Sequence, residues 1–303
     1  MSIKPLPTFM LAGSTVLHPE LSQAITSQPN AVRRINSTCV ELESYANVAL
    51  SGHAGMLGVS ILIPVICAIT LLSIVEITPD MLLAILIASP IIPLLAFLNY
   101  LVMGAHRIRG SYIRVNRITR KVYFISPLTP GNVHAIDWNR LVARAGHISR
   151  RSSYGPAYRR PLFLIGVDYT LVPPTELCIA FGNTDMPGDE RSAQTLWGYL
   201  QHFMEYGVSD LPDFVAPQKK LSRRDAATQP YREWYTGVCT MCDGANALLW
   251  APIMIPIWIF LLAFKAYPDS VEAWIQHKVP YTTFPHEIDI ICGFDTASPV
   301  SFG

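Results

Sequence analysis

The stretch LLSIVEITPDMLLAILIASP, Leu71 to Pro90, sets two strongly apolar runs on either side of a five-residue break, Glu76-Ile77-Thr78-Pro79-Asp80. Read outward, the first run has 21 residues from Gly55 to Val75 without a charged side chain, and the second has 25 from Met81 to Ala105. A helix needs about 20 such residues to cross a hydrocarbon core about 30 Å thick. Both runs suffice, so the break reads as the tip of a membrane hairpin. A third run, Ala245 to Phe264, supplies 20 more uncharged residues.

Composition agrees. Of 303 residues, 50% are hydrophobic and only 15% charged, and the mean hydropathy is +0.30. Soluble domains carry about 25% charged residues. Prolines interrupt every run: Pro64 in the first, Pro90 and Pro93 in the second, Pro252 and Pro256 in the third. Spans tolerate them where neighbours satisfy the freed carbonyls, so they predict kinks that fit helices into a small bundle. The start, MSIKPLPTFML, has one Lys and an apolar patch broken by Pro5 and Pro7, unlike a secretory signal. Insertion is expected to rely on the first span. The three runs contain no Asp, Glu, Lys, Arg or His, whereas ion-coupled transporters place ionisable groups at membrane depth. The spans therefore read as an anchor.

Charge sets the expected orientation. The connection His106 to Asp243 carries 18 Lys and Arg against 12 Asp and Glu, and Arg107, Arg109, Arg114, Arg117, Arg120 and Lys121 precede any acid. By the positive-inside rule, this side is cytoplasmic. Residues 1–54 are balanced, with Lys4, Arg33 and Arg34 against Glu20, Glu41 and Glu43, while the tail from Lys265 is acidic. The expected organisation is a cytoplasmic segment over 1–54, a membrane hairpin over 55–105, a cytoplasmic domain over 106–210, a linker over 211–244, a third span over 245–264 and a periplasmic tail over 265–303. Cysteine placement is compatible with this: Cys39, Cys178, Cys239 and Cys242 fall inside, Cys67 lies in the first span, and Cys292 stands alone outside. Nothing in that distribution reads as a disulfide scaffold.

Within the domain, SYIRVNR, KVYFIS, VHAIDW, LVARAG, LFLIGVDY and ELCIAFG read as short strands separated by Asn, Pro and Gly. The stretch Arg150 to Pro161 reads as a long loop. In PGDERSAQTLWGYLQHFMEYG the period changes, and Leu196, Trp197, Leu200, Phe203 and Met204 share one helical face. Pro187, Asp189 and Glu190 suit its first turn, and Gly207 its end. The fold class is an α-helical membrane protein with three transmembrane helices and a cytoplasmic α+β domain, in which antiparallel strands precede an amphipathic helix.

Strands closed by a Trp-bearing helix, placed after a two-span hairpin, resemble membrane-tethered bacterial domains of pleckstrin-homology-like type. More narrowly, YIRVNRITRKVYFI followed by VHAIDWNRLVARAG is similar to an uncharacterised bacterial family of integral membrane proteins, some encoded near type VI secretion effectors. The resemblance covers 107 to 206 and, through the flanking spans, most of the chain. It implies a pleckstrin-like sheet and a secreted antibacterial effector as partner.

Three features are candidate sites. Arg107 to Arg160 holds 12 Lys and Arg but one acid, Asp137, and SRRSSYGPAYRR mixes Arg150, Arg151, Arg159 and Arg160 with two tyrosines. With the six basic residues that follow the second span, these form a prospective surface for anionic membrane lipids or a partner protein; alternatively, the charges only enforce topology. Nucleic acid is not expected, because the whole chain is only +1 and has no recognition motif. CTMC, Cys239 to Cys242, lacks the further ligands zinc needs and reads as packing. HEID, with His286, Glu287 and Asp289, reads as a solvated loop rather than a metal site. With no catalytic or nucleotide motif, a non-enzymatic protein without cofactor or metal is expected. Protein capture at the membrane, as immunity or accessory to an effector, is the leading expectation, and lipid binding or envelope maintenance the alternative.

Overall fold

A computed structural model of the chain describes residues 3–18, 28–50, 52–74, 78–102, 104, 106, 111–126, 131–152, 155–183, 191–215, 221–242 and 247–294. In chain order the elements begin with β1 (Thr15–Val16), β2 (Val32–Ile35), β3 (Cys39–Leu42), α1 (Tyr45–Leu50), α2 (His53–Ile74), α3 (Pro79–Ala88) and α4 (Ile91–Val102). Strands β4 (Ile113–Asn116), β5 (Lys121–Ile125), β6 (Val133–Asp137), β7 (Val142–Ala145), β8 (Ile148–Ser152), β9 (Gly155–Arg159), β10 (Leu162–Asp168) and β11 (Thr175–Ala180) follow. Helices α5 (Arg191–Tyr206), α6 (Arg223–Cys242), α7 (Ala247–Leu261), α8 (Tyr267–Gln276) and α9 (His286–Ile291) complete the chain. It divides into two compact units. The first comprises Met1–Ala49, Arg109–Gln218 and Tyr281–Gly303; the second comprises Leu50–Ile108 and Lys219–Pro280.

The first unit holds two antiparallel sheets, a five-stranded one in the order β2-β3-β4-β5-β6 and a four-stranded one in the order β1-β7-β10-β11. Period-two patterning builds them. Val40, Leu42, Ile113, Val115, Val122 and Ile136 enter one continuous core from the first sheet, and Leu162, Leu164 and Ile179 enter it from the second. The β4–β5 hairpin is tight because Asn116 Oδ1 accepts the amides of Ile118 and Thr119, both at 2.9 Å, and Arg120 takes a φ of +50°. All six anticipated strands are present within a residue or two of their expected limits. The segment read as a long loop contains the separate β8–β9 hairpin.

Helix α5 closes the same core. Leu196, Trp197, Leu200, Phe203 and Met204 are all buried, as their spacing requires, and the Trp197 ring lies 5.2 Å from that of Trp138. Gly207, at φ +80°, ends the helix with its amide on the Phe203 carbonyl at 2.9 Å. The expected first-turn residues Pro187, Asp189 and Glu190 lie outside the described residues.

Two chain segments thought separate from the domain belong to it. Strands β2 and β3 pair onto β4, and the tail from Tyr281 packs on the outer face of the same sheet. Cys39, Tyr123 and Ile125 on that face meet Phe284 and Cys292 of the tail, which explains why β3 and β4 are buried on both faces. Of the tail expected over 265–303, the part from Tyr281 thus belongs with the sheets.

The second unit is helical. Three of its helical stretches, Tyr45–Ile74, Pro79–Val102 and Ala251–Gln276, are long and apolar enough to cross a membrane, and the first begins in α1 of the sheet unit. Glu76 and Ile77 of the expected hairpin tip lie outside the described residues. Thr78 caps α3 through its hydroxyl, which accepts the Met81 amide at 3.3 Å, and Pro79 takes the first turn. The chain breaks between α3 and α4 at Ser89-Pro90, the strongest of the anticipated proline effects. Gly55 and Gly58 allow α2 to approach α8 closely: a Cβ at Gly55 would stand 3.0 Å from the Pro268 carbonyl oxygen. Glu272 accepts the Gly55 amide at 2.7 Å. The third apolar stretch thus continues beyond Phe264 through a π-helical turn, Leu262–Ala266, into α8, which carries Asp269 and Glu272. Within the expected linker over 211–244, residues Arg223–Cys242 form α6, antiparallel to this stretch, with Trp234 Nε1 donating to the Trp258 carbonyl at 2.8 Å.

Candidate functional site

The polar centre of the sheet unit lies under the tail. Cross-strand register sets Arg34 opposite Glu41 and Glu41 opposite Arg114, so three alternate-face side chains meet in a row. Arg34 donates two bonds of 2.8 Å to the Glu41 carboxylate, and Arg114 Nε adds a third at 2.9 Å. Glu41 is 1% exposed and Arg114 3%. Asp289 of α9 completes the cluster at 2.6 Å from Arg114 Nη1, while the Phe284 and Phe294 rings flank the guanidinium at 4.2 and 5.1 Å. Burial alone would lower the Arg114 pKa, but Glu41 and then Asp289 outweigh it and raise the value. Amides finish the seat: Asn36 Nδ2 donates to the Cys292 carbonyl at 2.9 Å and Asn116 Nδ2 to the Ile291 carbonyl at 2.9 Å.

Two thiols complete it. Cys39 and Cys292 are both wholly buried. The bond from Cys39, aided by Asn116 and Arg114, holds the Cys292 thiol down to about 7 despite its burial, whereas burial and then Cys292 push Cys39 far above its usual range. The two thiols are thus shifted in opposite directions, Cys292 down and Cys39 up, at a seat closed to solvent.

The described residues of the anticipated basic surface differ in placement. Arg107 and Arg109 lie outside the described residues. Arg114 is interior, because its strand faces the tail rather than water. Arg117 donates to the Met204 and Glu205 carbonyls at the end of α5, and Arg120 pairs with Glu205 at 3.0 Å and with Asn139 at 2.9 Å. Lys121 is exposed, and Arg159 and Arg160 are half-buried. Arg150 and Arg151 lie on β8 with side chains outside the described residues. HEID is not a solvated loop: it opens α9, and its Asp289 is committed to Arg114. Among the described residues no group of three or more His, Cys, Asp or Glu is placed to hold a metal ion. Cys239 is half-buried on α6, and the Cys242 side chain lies outside the described residues.

A cleft of about 260 Å³ opens beside Ser44, Tyr45, Ser111, Phe124 and Cys178. Burial pushes the Cys178 thiol up to about 11, so it remains protonated there. His134 and Asp168, bonded at 2.9 Å and buried, tie β6 of the five-stranded sheet to β10 of the four-stranded one. Thr170 holds the second carboxylate oxygen at 2.6 Å. Reading from residues alone missed Glu41, Arg34 and Asp289 as a set. The signal was present in VRRINSTCVEL, two alternating runs around an Asn-Ser-Thr turn whose Arg and Glu fall at paired register.

Fold and site together define an α+β sheet unit joined to apolar helices. Residues 105–273, more than half of the chain, match the family of unknown function DUF6708, and the chain belongs to that family. No curated protein and no solved structure matches it.

Two outcomes follow from the seat. Arg114→Met leaves a buried carboxylate short of its partner and should cost about 3–5 kcal/mol, while Asp289→Asn at the more exposed edge should cost about 1 kcal/mol or less. Denaturant unfolding of the full chain in detergent, followed by tryptophan fluorescence, ranks the two; equal losses would contradict the seat. A thiol at about 7 in the fold and 9.0 ordinarily contributes stability that is full above pH 9 and lost as pH falls through 7. Stability should therefore rise from pH 7 to 9, and Cys292→Ser should flatten that part of the profile.

Proposed function

We propose that this chain is a non-catalytic, membrane-anchored binding protein whose pleckstrin-homology-like sheet unit presents its surface to a protein partner in the bacterial cytoplasm. The observation that carries the reading is the connectivity of the sheet unit. Two apolar excursions, over 50–108 and 219–280, both leave this unit and return to it. A bilayer cannot pass through a hydrogen-bonded sheet, because backbone groups left unpaired in hydrocarbon each cost several kcal/mol. Each excursion must then cross the membrane an even number of times.

The first excursion does so with two apolar stretches of similar length. The second has one apolar stretch and α6, whose charged residues stop at Glu233 and leave nine uncharged residues from Trp234 to Cys242. At 1.5 Å per residue, that is about half a hydrocarbon core. On this reading α6 and α7 dip into the membrane as a hairpin and return. The tail lies with the sheet in the cytoplasm, not across the membrane as its acidity suggested. The density of Lys and Arg after the second span supports the cytoplasmic choice.

The partner class rests on the resemblance to membrane proteins encoded near type VI secretion effectors: a secreted antibacterial effector, captured at the membrane as immunity or held by an accessory protein. Binding of anionic headgroups is the second reading, favoured by exposed Lys121 and by Arg159 and Arg160 beside the β8–β9 hairpin.

Co-expression with the effector encoded beside it should rescue growth and yield a complex on purification of the full chain. Death without a complex refutes the protein partner, and co-purified anionic lipid lost on Arg159→Ala with Arg160→Ala would favour the second reading. A reporter fused at Pro79 should be exported and one at Gly303 should remain cytoplasmic; an exported Gly303 reporter would overturn the topology.

A further inference from the structure

We infer that Cys39 and Cys292 are a redox-reactive thiol pair that closes to an intramolecular disulfide and fixes the C-terminal tail onto the sheet. Both side chains belong to one buried cluster with Tyr123, Ile125 and Phe284. Cys39 lies directly opposite Asn116 in the β3–β4 register, and the Asn116 amide reaches the Cys292 sulfur at 3.8 Å. Each thiol shifts the other's pKa, that of Cys39 upward and that of Cys292 downward. The other four cysteines lie elsewhere: Cys67 in α2, Cys178 on β11, and Cys239 and Cys242 three apart on α6.

The chemistry is thiol–disulfide exchange with a small-molecule disulfide of the glutathione class. Cys292, as thiolate, attacks one sulfur of glutathione disulfide; a protein–glutathione bond forms, and one glutathione thiolate leaves. Cys39 then loses its proton and attacks the Cys292 sulfur, forming the Cys39–Cys292 bond and expelling the second glutathione thiolate. The two protein thiols lose two electrons and two protons, and glutathione disulfide becomes two glutathione thiols. Because both sulfurs are fully buried, the reaction waits for the tail to lift. Its rate therefore reports the strength of the Arg114–Asp289 contact and the Asn36 and Asn116 bonds. In a reducing compartment the pair rests as thiols, and oxidation locks a tail that is otherwise held by non-covalent contacts.

The full-length protein in detergent is incubated with glutathione disulfide, quenched with an alkylating agent and digested without reductant. The expected product is a peptide containing Cys39 joined to one containing Cys292, with both thiols lost together. Asp289→Asn should form it about fivefold faster, the effect of removing an ion pair at the edge of the seat. Cys39→Ser should trap glutathione on Cys292 instead, with unchanged far-ultraviolet circular dichroism confirming the fold. Oxidation confined to Cys67, Cys178, Cys239 or Cys242, or a stable glutathione adduct on Cys292 in the wild-type chain, would overturn the pair.

Discussion

A carboxylate held away from water must find compensating charge inside the fold, and Glu41 finds it on both neighbouring strands. Arg34 and Arg114 reach it from β2 and β4 because antiparallel register sets all three on one face. That face is polar in sequence and would ordinarily meet solvent. Here the tail covers it, so the ion pairs are drawn into low dielectric and strengthened, and Asp289 enters as the second anion for two cations. The row joins three chain segments, around residues 34–41, at 114 and at 289. The N-terminal strands, the central domain and the tail are thereby one unit.

The strands of the central domain were legible in the sequence because their alternation is local. Ile113 and Val115 against Arg114 and Asn116, or Leu196, Trp197, Leu200 and Phe203 along one face, carry their own period. Long apolar runs were equally plain. The tail's docking was not legible, because nothing local in PHEIDIICGF states that its partner lies more than 160 residues upstream, and its acidity argued for the far side of a membrane. Arg114 was read as surface for the same reason: an alternating strand predicts a solvated face unless a distant segment covers it. The β8–β9 hairpin was hidden by its composition, since Arg, Ser and Gly give a weak strand signal.

The same distance effect bears on the candidate sites. Positive charge adjoining a span was read as one surface, yet Arg117 and Arg120 are spent on the end of α5 and Arg114 on Glu41. Cationic side chains here serve first to finish helix termini and to neutralise buried acids. Of the anticipated basic residues that are described, Lys121 is the exposed one and Arg159 and Arg160 are half-buried. The apolar helices show the opposite economy: none of the best apolar window of Pro79–Val102 is buried, so its surface is left for lipid or another helix.

The three-part construction of the sheet unit also imposes an order on its making. Strands β2 and β3 leave the ribosome before the apolar helices α2, α3 and α4 but cannot pair with β4 until those have been synthesised. The outer face of β3 and β4, with its buried acid and thiol, stays uncovered until the final segment is synthesised. Synthesis of both apolar excursions therefore comes before completion of the sheet unit. A chain that stalls after the second excursion would leave Arg114 without Asp289 and Cys39 without its cover, a ready mark for quality control.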